Sequence, residues 1–201
     1  VPAWNEVDVN FATRVGPFER RKLRLLNGAH TFLAYEGQLR GYGSVREAMG
    51  DSRVRNQVEA LWRESGETLS TDDTAAYCAR LLERFTSPSL HHALAQIAMD
   101  GSQKIPVRIL APMLERLDQR KDSPALATAV AAWLEFLWAA ARDGSFSVDD
   151  PGARGIVELM RHAPDREAMV AGLFETPTFE AFSPLSTAIT NAWNERVSRN
   201  S

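Results

Sequence analysis

The stretch PFERRKLRLLNGAHTFLAY, residues 17–35, decides the fold. It is rich in Leu, Arg, Lys and Ala, all good helix formers, and Pro17 after Gly16 suits a first helical position. At about 100° per residue with Lys22 at zero, Leu33 falls near 20°, Leu26 near 40°, His30 near 80°, Leu23 near 100° and Asn27 near 140°. Lys22, Asn27 and His30 thus project from the same side as three leucines, types a helix normally segregates. An ammonium, an amide and an imidazole on an apolar stripe are costly unless they are paired or used. A desolvated lysine also has its pKa lowered toward a value useful for proton transfer. The competing reading has Lys22 snorkelling to water, Asn27-Gly28 breaking the helix and His30 as a core histidine. Gly28 narrows that choice, because it lets a ligand or another backbone approach closely.

Outward from this helix the chain stays helical. Gly41-Tyr42-Gly43 breaks the pattern, and Ser44-Val45-Arg46-Glu47 is a capping box that starts the next helix. Residues 51–65 continue it and stop at Gly66. Thr71 with Asp72 and Asp73 opens another helix, with acids on the positive end of the dipole. Ser87-Pro88 opens a further one, and Asp100-Gly101-Ser102 ends it. Helices over about 102–120 and 123–142 follow. Shorter pieces fall near about 152–163, 165–174, 177–182 and 184–197, punctuated by Pro164, Pro177 and Pro184. Before the first helix, VDVNFATRV at 7–15 alternates apolar and polar and predicts one short strand. No repeat of 30–50 residues occurs. The expected fold is mostly α: one multihelical domain with a short N-terminal strand.

Composition sets outer bounds. The chain has 201 residues, enough for one generous domain, and 44% are hydrophobic, enough for a real core. One cysteine, Cys78, excludes an intrachain disulfide scaffold and fits a cytoplasmic compartment. A net charge of −3 argues against non-specific nucleic-acid binding, so Arg20-Arg21-Lys22-Arg24 reads as a surface or interdomain cluster. The most apolar stretch, 125–141, carries Glu135 and is short for a membrane span. The opening residues Val1-Pro2-Ala3-Trp4 have no basic region followed by an apolar run and do not read as a secretory leader.

Other chemistry-bearing residues are few. Asp100-Gly101-Ser102-Gln103-Lys104 is a turn feeding a helix, whose free N–H groups favour an anionic or oxygen-rich ligand. Lys104 opposes the dipole there, as if it faced something negative. His91 and His92 point about 100° apart and do not share a metal easily, and no HExxH or CxxC occurs, so no metal site is expected. Trp133, Leu134, Phe136, Leu137 and Trp138 read as a core stripe. There is no GxSxG, GxGxxG or Walker pattern.

Two blocks carry a resemblance. PFERRKLRLLNGAHTFLAY (17–35) holds K-x-x-x-x-N-x-x-H as Lys22, Asn27 and His30. It resembles the helix that characterises the mannitol dehydrogenase family of polyol-specific long-chain dehydrogenase/reductases. RFTSPSLHHALAQIAMDGSQKIPVRIL (84–110) resembles that family's later substrate-binding block. The likeness runs from the opening PAW to roughly residue 112 and fades after it. The wording is closer to the fructuronate reductase (D-mannonate oxidoreductase) branch than to mannitol 2-dehydrogenase. Gln96 stands where mannitol enzymes tend to place Arg, and His91 where hexuronate enzymes tend to place Arg.

The resemblance implies a helical domain of the 6-phosphogluconate dehydrogenase C-terminal type over 17–201. Residues 1–16 are then a linker strand from an upstream Rossmann-type domain that binds NAD. It implies Lys22 as general acid and base, Asn27 polarising the carbonyl, His30 orienting a neighbouring hydroxyl and Lys104 holding a terminal hydroxyl or carboxylate. Gln96 and Asp100 stand on the substrate side. The implied reaction interconverts a keto sugar acid and its hydroxy form, with fructose and mannitol as the alternative pair. A helical interaction module without catalysis is the reading from another class.

Overall fold

The computed structural model describes residues 16–70, 73–88 and 92–200. Those residues are helical with no strand among them, and the strand expected at 7–15 lies outside them. The opening run is α1 (Gly16–Arg21), a first π-helical segment (Lys22–Asn27) and α2 (Gly28–Leu39). Then come α3 (Val45–Gly50), α4 (Ser52–Gly66), α5 (Thr74–Thr86) and the short α6 (Leu94–Ile97). A second run joins α7 (Gly101–Ile105), a second π-helical segment (Pro106–Leu110) and α8 (Ala111–Asp118). The rest is α9 (Pro124–Arg142), α10 (Arg154–His162), α11 (Arg166–Leu173) and α12 (Ser186–Asn200).

The caps follow from the residues present. Ser44 Oγ accepts from the Glu47 N–H at 3.3 Å, and Glu47 accepts from the Ser44 N–H at 3.1 Å, closing the expected capping box. Asp51 caps α4 by accepting from the Arg53 N–H at 2.8 Å, and α4 stops at Gly66 as expected. Ser123 does not cap α9. Glu64 of α4 takes that place, its two oxygens accepting from the N–H groups of Ala125 and Leu126 at 2.9 Å each.

Helix α9 is the axis of the fold and packs on α2, α4, α10 and α12. Trp133, Leu134, Phe136 and Leu137 are buried together with Leu126 and Val130, and Trp138 is half-buried against them, so the stripe is core except at that end. By length and composition this helix reaches what a bilayer crossing needs, so the expectation that it is too short is corrected. Within this fold its apolar residues face other helices.

Three expected boundaries differ. No helix runs from Ser87-Pro88 to Asp100. The backbone at 92–94 instead bridges to the start of α3, with the Val45 N–H donating to the His92 carbonyl at 3.1 Å and the Leu94 N–H to the Gly43 carbonyl at 3.0 Å. Among the described residues of that element, the helical ones are those of α6, and residues 89–91 lie outside the described residues. The helix over 102–120 begins at Gly101, is π-helical from Pro106 and ends at Asp118. Near 177–182 the chain forms a 3-10 turn over Glu180–Leu185, with Pro184 inside it.

Candidate functional site

The two π-helical segments pack against each other and organise the site. A π turn bonds each N–H five residues back and is frequent at functional sites. Here the Gly28 N–H reaches the Leu23 carbonyl, and the Ala111 N–H reaches that of Pro106. In the first segment, Trp62 Nε1 of α4 enters the ladder and donates to the Leu25 carbonyl at 2.9 Å. One turn on, Thr31 Oγ1 donates to the Asn27 carbonyl at 2.9 Å. In the second, the Pro106 ring crowds the carbonyl four residues back and brings no N–H, which a wider turn relieves. Pro112 likewise leaves the Arg108 carbonyl without a donor four residues on.

The wide turn changes which residues share a face. Residues five apart now stack, so Lys22 and Asn27 line one open depression of about 450 Å³, with Glu19, Leu23 and Val107. Lys22 is exposed, Leu23 and Asn27 are half-buried, and Leu26 and Leu33 are buried. The expectation of a lysine desolvated on a leucine stripe is therefore corrected, because it assumed about 100° per residue through a segment that turns by less. The basic cluster also divides. Arg21 pairs with Asp73 at 2.9 Å and lies over the Tyr77 ring, and Arg24 holds Glu115 with two nitrogens. Arg20 and Lys22 remain at the surface.

His30 sits apart from the depression. Its ring stacks on Phe85 at 4.8 Å and meets His92 edge-on at 5.6 Å. Its Nε2 is buried without a hydrogen-bond partner. Burial, then the charges of His92, Arg84 and Arg108, lower its pKa to about 4, so the ring is neutral at pH 7. A neutral imidazole donates from one nitrogen and accepts at the other, which suits it to orient a hydroxyl.

Sequence reasoning missed Arg108. Its Nη1 donates to Thr31 Oγ1 at 3.1 Å, and its Nε is buried and unpaired. Burial holds its pKa below the usual arginine value, the nearby Tyr35 partly opposing this. One signal was present: Lys104 and Arg108 are like charges four apart, and Arg108 sits in the otherwise apolar run 105–114, which holds two prolines. Val107 beside it lines the lysine–asparagine depression, so the two parts of the site adjoin.

The second block is built differently from expectation. The N-terminus of α7 is not free for a ligand. Asp150 accepts from the Ser102 N–H at 2.6 Å, from Ser102 Oγ at 2.7 Å and from the Gly152 N–H at 3.1 Å. Lys104 Nζ donates to the carbonyls of Ile97, at 3.2 Å, and Met99, so what it faces is the carbonyl end of α6. Burial lowers its pKa, and the charge of Arg108 adds to that. Asp100 holds the left-handed turn, φ 54° and ψ 36°, and its side chain makes no cap. Gln96 is exposed on α6. His91 lies outside the described residues.

Comparison with known proteins agrees with this architecture. The family model for the mannitol dehydrogenase C-terminal domain matches residues 14–195, which corrects the expectation that the likeness fades near residue 112. D-mannonate oxidoreductase of Escherichia coli is 41% identical over 155 residues, 75% of this chain and 32% of that protein. Mannitol 2-dehydrogenase of Aspergillus fumigatus is 35% identical over 163 residues, 79% of this chain and 31% of that protein. The Pseudomonas fluorescens mannitol 2-dehydrogenase, solved as a ternary complex with NAD and D-mannitol, superposes with a TM-score of 0.82 at 25% identity. That match covers 96% of this chain and 41% of that one. The chain thus spans about a third to two fifths of the length of these relatives. It belongs to the mannitol dehydrogenase C-terminal domain family of oxidoreductases.

Proposed function

We propose that this chain is the substrate-binding and catalytic domain of an NAD-dependent reductase that interconverts a keto sugar acid and its hydroxy form, fructuronate and mannonate. The observation that carries the reading is the wide first π turn, which sets Lys22 and Asn27 in one open depression. The likeness to D-mannonate oxidoreductase favours the acid over the neutral sugar.

In the reducing direction the Lys22 ammonium donates a proton from Nζ to the forming alkoxide, and in reverse the neutral amine takes it back. The Asn27 amide N–H donates to the same oxygen where negative charge develops. Neutral His30 orients a neighbouring hydroxyl. Lys104 lies near the substrate's terminal end, with Asp100 and Gln96 at its margin. Nicotinamide, when bound, supplies or accepts the hydride. Leu23 and exposed Val107 beside Lys22 fit a flat ring presented from outside the chain. The 201 residues hold no glycine-rich phosphate loop, so dinucleotide binding is assigned to an upstream Rossmann-type domain, with residues 1–16 as its linker and 17–201 as the helical domain.

The test is Lys22→Ala in the protein carrying its upstream domain. Turnover should fall about 10²- to 10⁴-fold, and near-normal turnover of fructuronate, mannitol and fructose removes the reading. A substrate panel separates the runner-up, a mannitol 2-dehydrogenase, which the superposition on the Pseudomonas fluorescens enzyme supports. Fructose turnover without fructuronate turnover selects it.

A further inference from the structure

The reaction outlined above makes no use of the Arg108 guanidinium, which among the described arginines shares a buried, unpaired Nε with Arg166; Arg166 lies against the Trp138 and Trp193 rings, whereas Arg108 follows Val107, which lines the lysine–asparagine depression. The four buried arginines among the described residues each hold a carboxylate: Arg21 that of Asp73, Arg24 that of Glu115, Arg116 that of Glu67, and Arg196 those of Glu36 and Glu135. Arg108 is half-buried and has no carboxylate partner among the described residues. Its Nη1 donates to Thr31 Oγ1, and its Nε is left unpaired beneath the surface. Lys104, four residues earlier on the same helical run, adds a like charge rather than relieving one.

We propose that Arg108 takes the carboxylate of the substrate and so makes the site one for a sugar acid rather than a neutral ketose. This rests on the reading of the chain as a keto-sugar-acid reductase domain. Thr31 holds one nitrogen of the guanidinium and leaves the edge formed by Nε and Nη2, whose two donors match the two oxygens of a carboxylate. The same Thr31 hydroxyl that accepts from Arg108 donates to the Asn27 carbonyl. One side chain thus fixes the anion-binding group relative to the residue assigned to the reacting carbonyl. His30, neutral at pH 7, lies alongside without adding charge. Lys104 is the weaker candidate for the carboxylate, because its ammonium already donates to two main-chain carbonyls. A bound anion also relieves the Lys104–Arg108 repulsion.

The experiment compares wild type, Arg108→Met, Arg108→Lys and Lys104→Met, each with the upstream domain present, by kcat/KM on fructuronate and on fructose. Thermal melts confirm that each variant folds, and Arg108→Lys carries the test if the methionine variant does not. In Arg108→Met the ratio of acid to neutral turnover should fall about 10- to 100-fold. Most of the change should lie in KM, because a carboxylate remote from the reacting carbonyl is held equally in ground and transition states. Arg108→Lys should regain part of the ratio, keeping the charge but losing the fork. An unchanged ratio, equal losses on both substrates, or a ratio change carried by Lys104→Met instead overturns the assignment of Arg108 while leaving the domain's reaction intact. A wild type that reduces fructose and not fructuronate removes the sugar-acid reading itself, and this inference with it.

Discussion

The two ends of helix α2 treat charge in opposite ways. Toward its C-terminal end, Glu36 is fully buried and accepts from Arg40 and Arg196, and Arg196 also reaches Glu135 of α9. That network ties α2, α9 and α12 together. At the other end, Lys22 stands exposed in the π segment, and His30 Nε2 and Arg108 Nε are buried without partners. Leaving a buried polar group unpaired costs about 1–3 kcal/mol. Such groups call for an explanation beyond packing, and at His30 and Arg108 the proposed substrate site supplies one. Unpaired buried atoms also occur in the frame, at Arg166 Nε, Trp133 Nε1 and Trp193 Nε1, so the contrast lies in what surrounds them: at the proposed working face, His30 adjoins the first π segment and Arg108 lies in the second.

The largest expected effect lies at the paired end. Glu36→Ala strands the buried Arg196 with Glu135 alone and should lower stability by about 3–5 kcal/mol. Lys22→Ala, at an exposed position, should shift stability by less than about 0.5 kcal/mol while losing turnover as argued above. Urea unfolding midpoints for the two variants at neutral pH decide this. A Glu36→Ala midpoint equal to wild type would show that α12 is held by apolar packing, and the comparison would fail at its stronger end.

The unpaired end has a pH signature. His30 has a folded pKa lowered to about 4 from an ordinary 6.5, chiefly by burial and then by the charges of His92, Arg84 and Arg108. Above pH 6.5 neither the folded nor the unfolded state protonates it, so it contributes nothing there. Between 6.5 and 4 the unfolded state binds the proton and the folded state does not, so stability falls as pH falls through that window. The loss attributable to this residue should reach about 2 kcal/mol at pH 5. His30→Asn removes the titrating group, and its unfolding free energy should decline less than wild type between pH 7 and 5. Parallel declines would mean that the histidine is solvated enough to protonate in place.

What the sequence made legible, and what it hid, follows the same division. The capping box at Ser44 and Glu47, the stop at Gly66 and the core stripe of α9 depend on local spacing alone, and they stand as read. The residue types of the proposed site are legible as well, since Lys22, Asn27 and His30 share one short run. Their placement is not, because a π turn forms where Trp62, 37 positions from Leu25, donates into the helix. A tertiary contact of that kind leaves no period in the sequence. The element expected after Ser87-Pro88 failed for a similar reason, its backbone being taken by the start of α3. Arg108 was hidden differently, since its unpaired Nε and its bond to Thr31, a residue on another helix, are visible only in the fold.

The smallest effect tests the two glycines of the site blocks against each other. Gly101 is required by packing: a Cβ there would stand 2.1 Å from Tyr35 Oη and 2.9 Å from Trp133 Nε1. Gly28 is not, since its backbone is right-handed helical, φ −60° and ψ −50°. A Cβ there would make ordinary contacts, 3.6 Å to the Arg108 carbonyl and 3.7 Å to Ile109 Cδ1. The close approach expected at Gly28 is therefore already made by the second π segment, at a distance that an alanine tolerates. Gly28→Ala should raise stability by about 0.4–1 kcal/mol, by lowering the entropy of the unfolded chain and favouring the helix. If the thermal melt shows that gain and turnover stays within about twofold, Gly28 belongs to the frame. If turnover collapses while the protein melts later, the position is kept open for substrate, and the working face extends one residue beyond Asn27.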